Sequence, residues 1–416
     1  MLQPSSAAFP TRRLVAAALI AAALPAILLS SSRAAAPAFA EPVALTNGGI
    51  SEPGIDVGPD GTIFVNGILG FPVHSRLWRS IDDGASFEQL TFNSPYNRFP
   101  GGGDSDVVIG DDERIYFLDL SALSNSIARS EDNGDTWIEG TPFTTLPVSD
   151  RQWIALGPRD PGTGEDTVYA IYHFIQPPQN IMFARSRDSG LTWDWHAAPA
   201  GFGGALPGQI VSDGDFVAYN YESSGIMYLV RSFDAGTTWT RHQVTLIQEA
   251  TQNLTAVTLD GNDMYIAWIN RFDYSVRVAH SADRGETWPL DEIVTVSTGG
   301  TAMFPWVDAR DGKVAVTWYG ADNATGNPNT VPGNTEWKVK YVEAQPWVNG
   351  FTAPVDASQG VVKRGIICTA GISCTTGREL GDFLQVAIDL EGKSLISYVD
   401  LVCDPYCRGA NVVKQL

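Results

Sequence analysis

The chain has 416 residues, with 27 lysines and arginines against 47 aspartates and glutamates, a formal net charge of −20, and 44% hydrophobic residues. So acidic a surface repels a phosphate backbone, which argues against nucleic acid as a partner. Length alone suggests more than one domain, a prior that fails wherever a repeat fold is present.

The first forty residues differ from the rest. Arg12 and Arg13 precede an apolar run from Leu14 to Leu29, and the small-x-small pattern APAFA ends at Ala40. This reads as a secretory signal peptide over residues 1–40, cut before Glu41, with a single domain over 41–416. The apolar run is shorter than the roughly twenty residues that span a bilayer. No later stretch is longer, so the expectation is a secreted or extracytoplasmic monomer with no membrane span after cleavage.

From residue 41 onward one order of elements recurs. A short apolar run, a turn and an alternating run appear in GIDVGPDGTIFVNG, DVVIGDDERIYFLDL, TAVTLDGNDMYIAWIN, PWVDARDGKVAVTWYG and LQVAIDLEGKSLISYVD. An Asp-Gly or similar pair between such runs is a hairpin signal. First strands fall near Ile55, Val107, Trp153, Ile210, Ala256, Val307 and Val386. A third strand follows each pair and leads into a near-identical phrase: RSIDDGASF, RSEDNGDTW, RSRDSGLTW, RSFDAGTTW and HSADRGETW. Its aspartates are Asp82, Asp132, Asp188, Asp234 and Asp283, a period near fifty. The pattern predicts an all-β protein: a β-propeller of about seven four-stranded blades, with six as the alternative. Blades six and seven lack the phrase; KVKYVEAQPW stands in its place in blade six. ANVVKQL reads as the third strand of blade seven, and EPVALT (Glu41–Thr46) is expected to supply the missing outer strand and close the ring. Gly320–Glu336 and Ala344–Leu380 are the main irregular segments.

The phrase reduces to S-x-D-x-G-x-[ST]-[WF], and each residue suits a tight hairpin. The aspartate accepts hydrogen bonds from following amides, the glycine takes a backbone angle other residues resist, and the aromatic ring plugs the space between blades. On this pattern the chain resembles the sialidase superfamily of β-propellers, whose Asp-boxes, or BNR repeats, it matches in blades one to five. In that family the Asp-box lies away from the catalytic face. The resemblance therefore implies a structural role for the five aspartates, and a site among the loops at the opposite end of the blades.

Those loops hold Arg98, Arg151, Arg271 and Arg378, together with Asp104, Asp106, Asp150, Glu222, Asp273, Tyr274 and Asp382. Guanidinium forks match a carboxylate bidentately. Family sialidases clamp a substrate carboxylate with three arginines and use a Tyr–Glu nucleophile and an Asp acid/base. The resemblance thus implies Arg151, Arg271, Arg378, Glu222, Tyr274 and Asp106 as candidate catalytic residues, with Tyr319 a second choice of tyrosine. The competing reading pairs these arginines with neighbouring acids to brace the ring. The chain also departs from the family. The early F/Y-R-I-P motif is missing from blade one, NRFP at Asn97–Pro100 is a partial echo before blade two, and seven blades exceed the family's usual six.

The four cysteines, Cys368, Cys374, Cys403 and Cys407, lie in or just before the C-terminal blade, about 366–416. An exported chain with an even count favours two disulfides, and of the three pairings the local one closes two short loops. The spacings are not those of zinc knuckles, and no metal or other cofactor is expected. The sequence supports two functions of different class. One is an exported glycan-recognising propeller acting as a glycoside hydrolase of exo-sialidase type. The other is a non-catalytic propeller binding glycans or proteins at the cell surface. The partner expected first is a glycan or glycoconjugate.

Overall fold

The structure, a computed structural model, describes Met1 and residues 36–416, apart from 46–48, 70–74, 92–102, 122–123, 143–148, 176–179, 198–205, 252–254, 298 and 403–408. Residues 2–35 of the expected leader, Arg98, Cys403 and Cys407 lie outside the described residues, while Phe39 and Ala40 at its end pair with Gln415 and Lys414. Ala36–Leu416 forms one compact unit. No helix among the described residues is long and apolar enough to cross a membrane.

Seven antiparallel sheets of four strands, one with a fifth short strand, make seven blades. The inner strands are Ser51–Val57, Ser105–Ile109, Ser149–Arg159, Pro207–Asp213, Ala256–Asp260, Thr301–Arg310 and Gln385–Ile388. All seven coincide with the expected first strands. The second and third strands are rich in aromatic and β-branched residues buried on both faces, as strands packed between neighbouring sheets must be. Trp78, Trp268 and Trp337 are each almost wholly buried between blades.

The ring closes as expected. Val43–Ala44 pairs antiparallel with Gly409–Lys414, Val43 opposite Val412, and completes blade seven. Blade six solves its missing phrase differently. Its third strand, Glu336–Ala344, takes an outer partner from the long insertion, Val355–Asp356, and a further pairing from Lys363–Arg364. The segment expected to be irregular therefore supplies a blade edge. Cys368 and Cys374 form a disulfide, the nearer half of the local pairing.

The repeated phrases form one hairpin five times. In blade four, Ser232 Oγ donates to Asp234 Oδ1 (2.7 Å), Thr238 N donates to the same oxygen (2.7 Å), and Thr238 Oγ1 donates to Oδ2 (2.7 Å). These bonds favour the charged carboxylate and hold Asp234 down to about 2. The residue before each glycine and the glycine itself both have positive φ, for example Ala235 (55°) and Gly236 (79°). The first residue of each phrase then reaches the next blade. Arg79, Arg185 and Arg231 donate to the carbonyls of Asn133, Ala235 and Arg284, the same hairpin position one blade on. The fifth copy begins with His280, and blade six beyond it carries no copy of the phrase. The His280 ring nitrogens meet Asp263 Oδ1 (2.6 Å) and Glu292 Oε2 (3.0 Å), and Trp347 from the blade-six insertion packs against the ring at 5.1 Å. Asp82, Asp132, Asp188, Asp234 and Asp283 are thus each committed to their own turn, at the end of the blades opposite the starts of the inner strands.

Candidate functional site at the mouth of the ring

Four inner strands bulge at the same place. Register breaks lie between Ser51 and Gly54, Asp150 and Trp153, Pro207 and Ile210, and Met303 and Trp306. An extra residue in a strand re-aims the side chain it carries. Three of the inserted positions hold residues with large side chains at positive φ: Glu52 (53°), Arg151 (56°) and Phe304 (53°). Such a conformation is costly away from glycine and concentrates at functional sites. Each bulge sits where its strand begins, at the end of the axis remote from the repeated hairpins.

Around the bulges of blades one and three gathers a cluster of opposite charges. Arg151 Nη2 is 2.5 Å from Asp382 Oδ2, and Arg378 reaches both oxygens of the same carboxylate at 3.1 Å. Arg378 also lies 3.9 Å from Glu52 Oε1. The backbone amide of Arg151 donates to Asp104 Oδ2 at 3.1 Å. Glu52 and Asp104 are buried carboxyl groups close enough that each shifts the other's proton affinity, a relation that favours a proton on one of them. Burial, then the charge of Asp104, pushes Glu52 well above the usual carboxylate range. Burial and the charge of Asp150 push Asp104 up to about 6.

Several buried polar atoms of this cluster have no partner among the described residues: Glu52 Oε2, Arg151 Nη1, Gln152 Oε1, and both ring nitrogens of His173. Glu52 and Gln152 are 1% exposed and His173 is 4% exposed. His173 stands opposite Asp150 in the register of blade three, and burial lowers its proton affinity. Atoms so placed cost free energy unless something satisfies them. The glycine of RELGDF is fixed by the same cluster: a Cβ on Gly381 would lie 2.2 Å from Glu52 Cγ, at φ +75°. The Cys368–Cys374 disulfide staples the start of this loop, where Cys368 N donates to Gly377 O at 2.8 Å.

Immediately after the bulges the axis is plugged. Trp153, Trp306 and Phe383 meet pairwise at 5.1–5.8 Å, all at least 97% buried. Further along the inner strands lies a cavity of about 360 Å3 lined by Asp56, Asp106 and Asp308. These acids bind the backbone of the next blade: Asp56 accepts from Ile109 N, Asp106 from Ile154 N, and Asp308 from Ile388 N. Burial pushes Asp56 and Asp106 up to about 7 and Asp308 to about 6.

The candidate residues therefore fall into three places. Arg151 and Arg378 converge on one carboxylate, with Asp104, Asp150 and Asp382 beside them. Asp106, two residues beyond Asp104, sits in the cavity wall as a link between blades two and three. Arg271 stands apart, exposed on blade five, near Glu222 of blade four, whose carboxylate accepts from Gly225 N. Tyr274 is half-buried and its backbone ties into the start of blade six. Asp273 caps a turn through Ser275, and Tyr319 is buried, its hydroxyl accepting from Val399 N at 3.0 Å. No group of three or more metal-ligating side chains occurs among the described residues. Sequence reading missed Glu52, Gln152 and His173. The signal for Glu52 was its register: Glu52, Arg151 and Phe304 each precede by three a core residue of an inner strand, Ile55, Ile154 and Val307.

Fold and mouth together define a seven-bladed β-propeller with an acid–arginine cluster where the inner strands begin. Among solved structures, it is similar to the Hadza microbial sialidase Hz136 (16% identity over 65% of this chain and 63% of that one, TM-score 0.49). It is also similar to the NanB sialidase from Streptococcus pneumoniae (11% identity, 89% of this chain and 69% of that one, TM-score 0.48). A third is an α-L-arabinanase from Penicillium chrysogenum (12% identity, 91% and 98%, TM-score 0.47). This chain thus spans less than two thirds of the first of these. No family model matches the sequence, and no curated protein matches it.

Proposed function

We propose that this chain is an exported, glycan-recognising propeller of glycoside-hydrolase character, and that its ligand binds at the mouth formed by Glu52, Asp104, Arg151, Arg378 and Asp382. The observation that carries this reading is the buried Glu52–Asp104 pair of carboxyls, both pushed toward the protonated form by burial and neighbouring charge, beside an arginine held at positive φ. Such a pair is a proton donor and acceptor poised near neutral pH. In this reading the pair acts as one acid/base unit, with Asp150, which accepts from Arg151 N, as a further carboxylate beside it. Export is supported by the leader-like first forty residues and by the disulfide, which suits an oxidising compartment.

The exo-sialidase form of this reading requires three arginines around one open seat. Arg271 is not with the other two, which weakens that form relative to other glycosidases. The non-catalytic alternative keeps the same mouth as a binding site. The test is hydrolysis of a panel of aryl glycosides, sialosides included, by the purified protein beside Glu52→Gln and Asp104→Asn variants. Turnover lost at least a hundredfold in both variants supports a hydrolase. Binding without turnover supports the alternative. Turnover unchanged in both variants removes the mouth from the mechanism.

A further inference from the structure

Two arginines converging on one carboxylate is the arrangement expected for gripping an anionic sugar, but here the carboxylate is the protein's own. Asp382 is 5% exposed and accepts from Arg151 and twice from Arg378. A substrate acid could use that seat only by evicting Asp382 and leaving it buried without a partner, which is strongly unfavourable. Among the described residues the mouth sets four carboxyl groups, Glu52, Asp104, Asp150 and Asp382, against two arginines, so even with Glu52 protonated the balance disfavours a second anion.

The unsatisfied atoms describe the ligand from the other side. Among the described residues, Arg151 Nη1 is a donor without an acceptor and Gln152 Oε1 an acceptor without a donor, while Glu52 Oε2 has no partner and, on a protonated carboxyl, can donate as well as accept. A carboxylate can only accept, so it would leave Gln152 Oε1 unmet. A hydroxyl both donates and accepts, and adjacent hydroxyls on one ring can serve donor and acceptor sites together. Building on the glycan reading above, we infer that the mouth selects an uncharged, polyhydroxylated sugar and rejects sugars carrying a carboxylate, with Asp382 acting as the built-in occupant of the anion seat.

The test is binding by the purified full chain to matched pairs that differ in one group: methyl glucoside against methyl glucuronide, methyl galactoside against methyl galacturonide, and the arabinose and xylose glycosides beside a sialoside. Titration calorimetry is run at pH 7.5 and constant ionic strength. The neutral member of at least one pair should bind tenfold or more tightly than its acid. In Asp382→Asn, which keeps the shape but frees positive charge, that ratio should fall by tenfold or more. Gln152→Ala, which leaves the charged groups in place, should weaken neutral ligands several-fold without admitting acids. Preference of the wild-type protein for a uronide or the sialoside would overturn this inference while upholding glycan recognition. Binding of neither member of any pair would overturn both.

Discussion

Asp106 offers the sharpest check on the electrostatics of the ring. It is 7% exposed, accepts from Val107 N and Ile154 N, and is raised from 3.8 to about 7 by burial, with the charge of Asp56 adding to the effect. The folded state therefore holds a proton that the unfolded chain releases near pH 4. A raised folded pKa contributes stability that is complete below the unfolded value and is lost as pH rises through about 7. At about 1.4 kcal/mol per pKa unit, the wild-type protein loses roughly 2.5 kcal/mol from this residue between pH 5 and pH 8. Asp106→Asn removes the charge and leaves one of the two amides facing an NH2 group, a cost of about 1–3 kcal/mol that does not vary with pH. The variant should be clearly less stable than wild type at pH 5, and the gap should close by roughly 2.5 kcal/mol at pH 8. Urea denaturation at pH 5, 6, 7 and 8 measures both curves. If they run parallel, Asp106 does not hold the proton assigned to it.

Four other outcomes are expected. Gly381→Ala drives a Cβ into Glu52 at 2.2 Å and should cost 2 kcal/mol or more in stability, with ligand binding at the mouth lost; melting temperature and calorimetry report each. Thr238→Ala, which deletes the bond from Thr238 Oγ1 to Asp234, should cost about 1 kcal/mol and leave mouth binding unchanged. Replacing Cys368 and Cys374 by serine should raise hydrogen exchange across 368–382 more than in any other loop of the ring. His280→Gln breaks one of two carboxylate contacts beneath Trp347, so exchange should rise in 345–351 while the hairpins of blades one to four stay protected.

The blades were legible because their signals are local. Asp60-Gly61 and Asn262 turns, alternating runs and five copies of one hairpin sit within a few residues of their own effects, and the seven inner strands fell where those signals put them. Closure by Val43–Ala44 was legible too, since a three-stranded last blade leaves one edge to fill. The mouth was only half legible. Arg151, Arg378, Asp104, Asp150 and Asp382 could be gathered by asking which loops share an end of the ring. The reading that pairs these arginines with acids was open, and Arg378–Asp382, four residues apart, lay within its reach, but nothing local named Asp382 as the partner of Arg151, 231 positions away. Arg271 looked equivalent in sequence, yet its loop belongs to a blade on another part of the rim. Glu52 was hidden by its setting: SEPG reads as a turn, and only the bulge, with glutamate at positive φ, aims that carboxyl toward Asp104.

The seam where the ring closes runs through the mouth itself. Glu52 comes from blade one and Arg378, Gly381 and Asp382 from blade seven. The two blades are joined by Ile55 N donating to Gln385 Oε1 (2.9 Å) and Ser397 Oγ donating to Pro53 O (2.8 Å). On a ribosome these halves are made at opposite ends of the synthesis, and the strand that completes blade seven, Val43–Ala44, must wait for Val412 to appear. An unclosed chain therefore has neither the acid pair's surroundings nor the occupied anion seat. On the proposed reading of the mouth, competence to bind is coupled to completion of the circle, so a nascent or partly opened ring is silent.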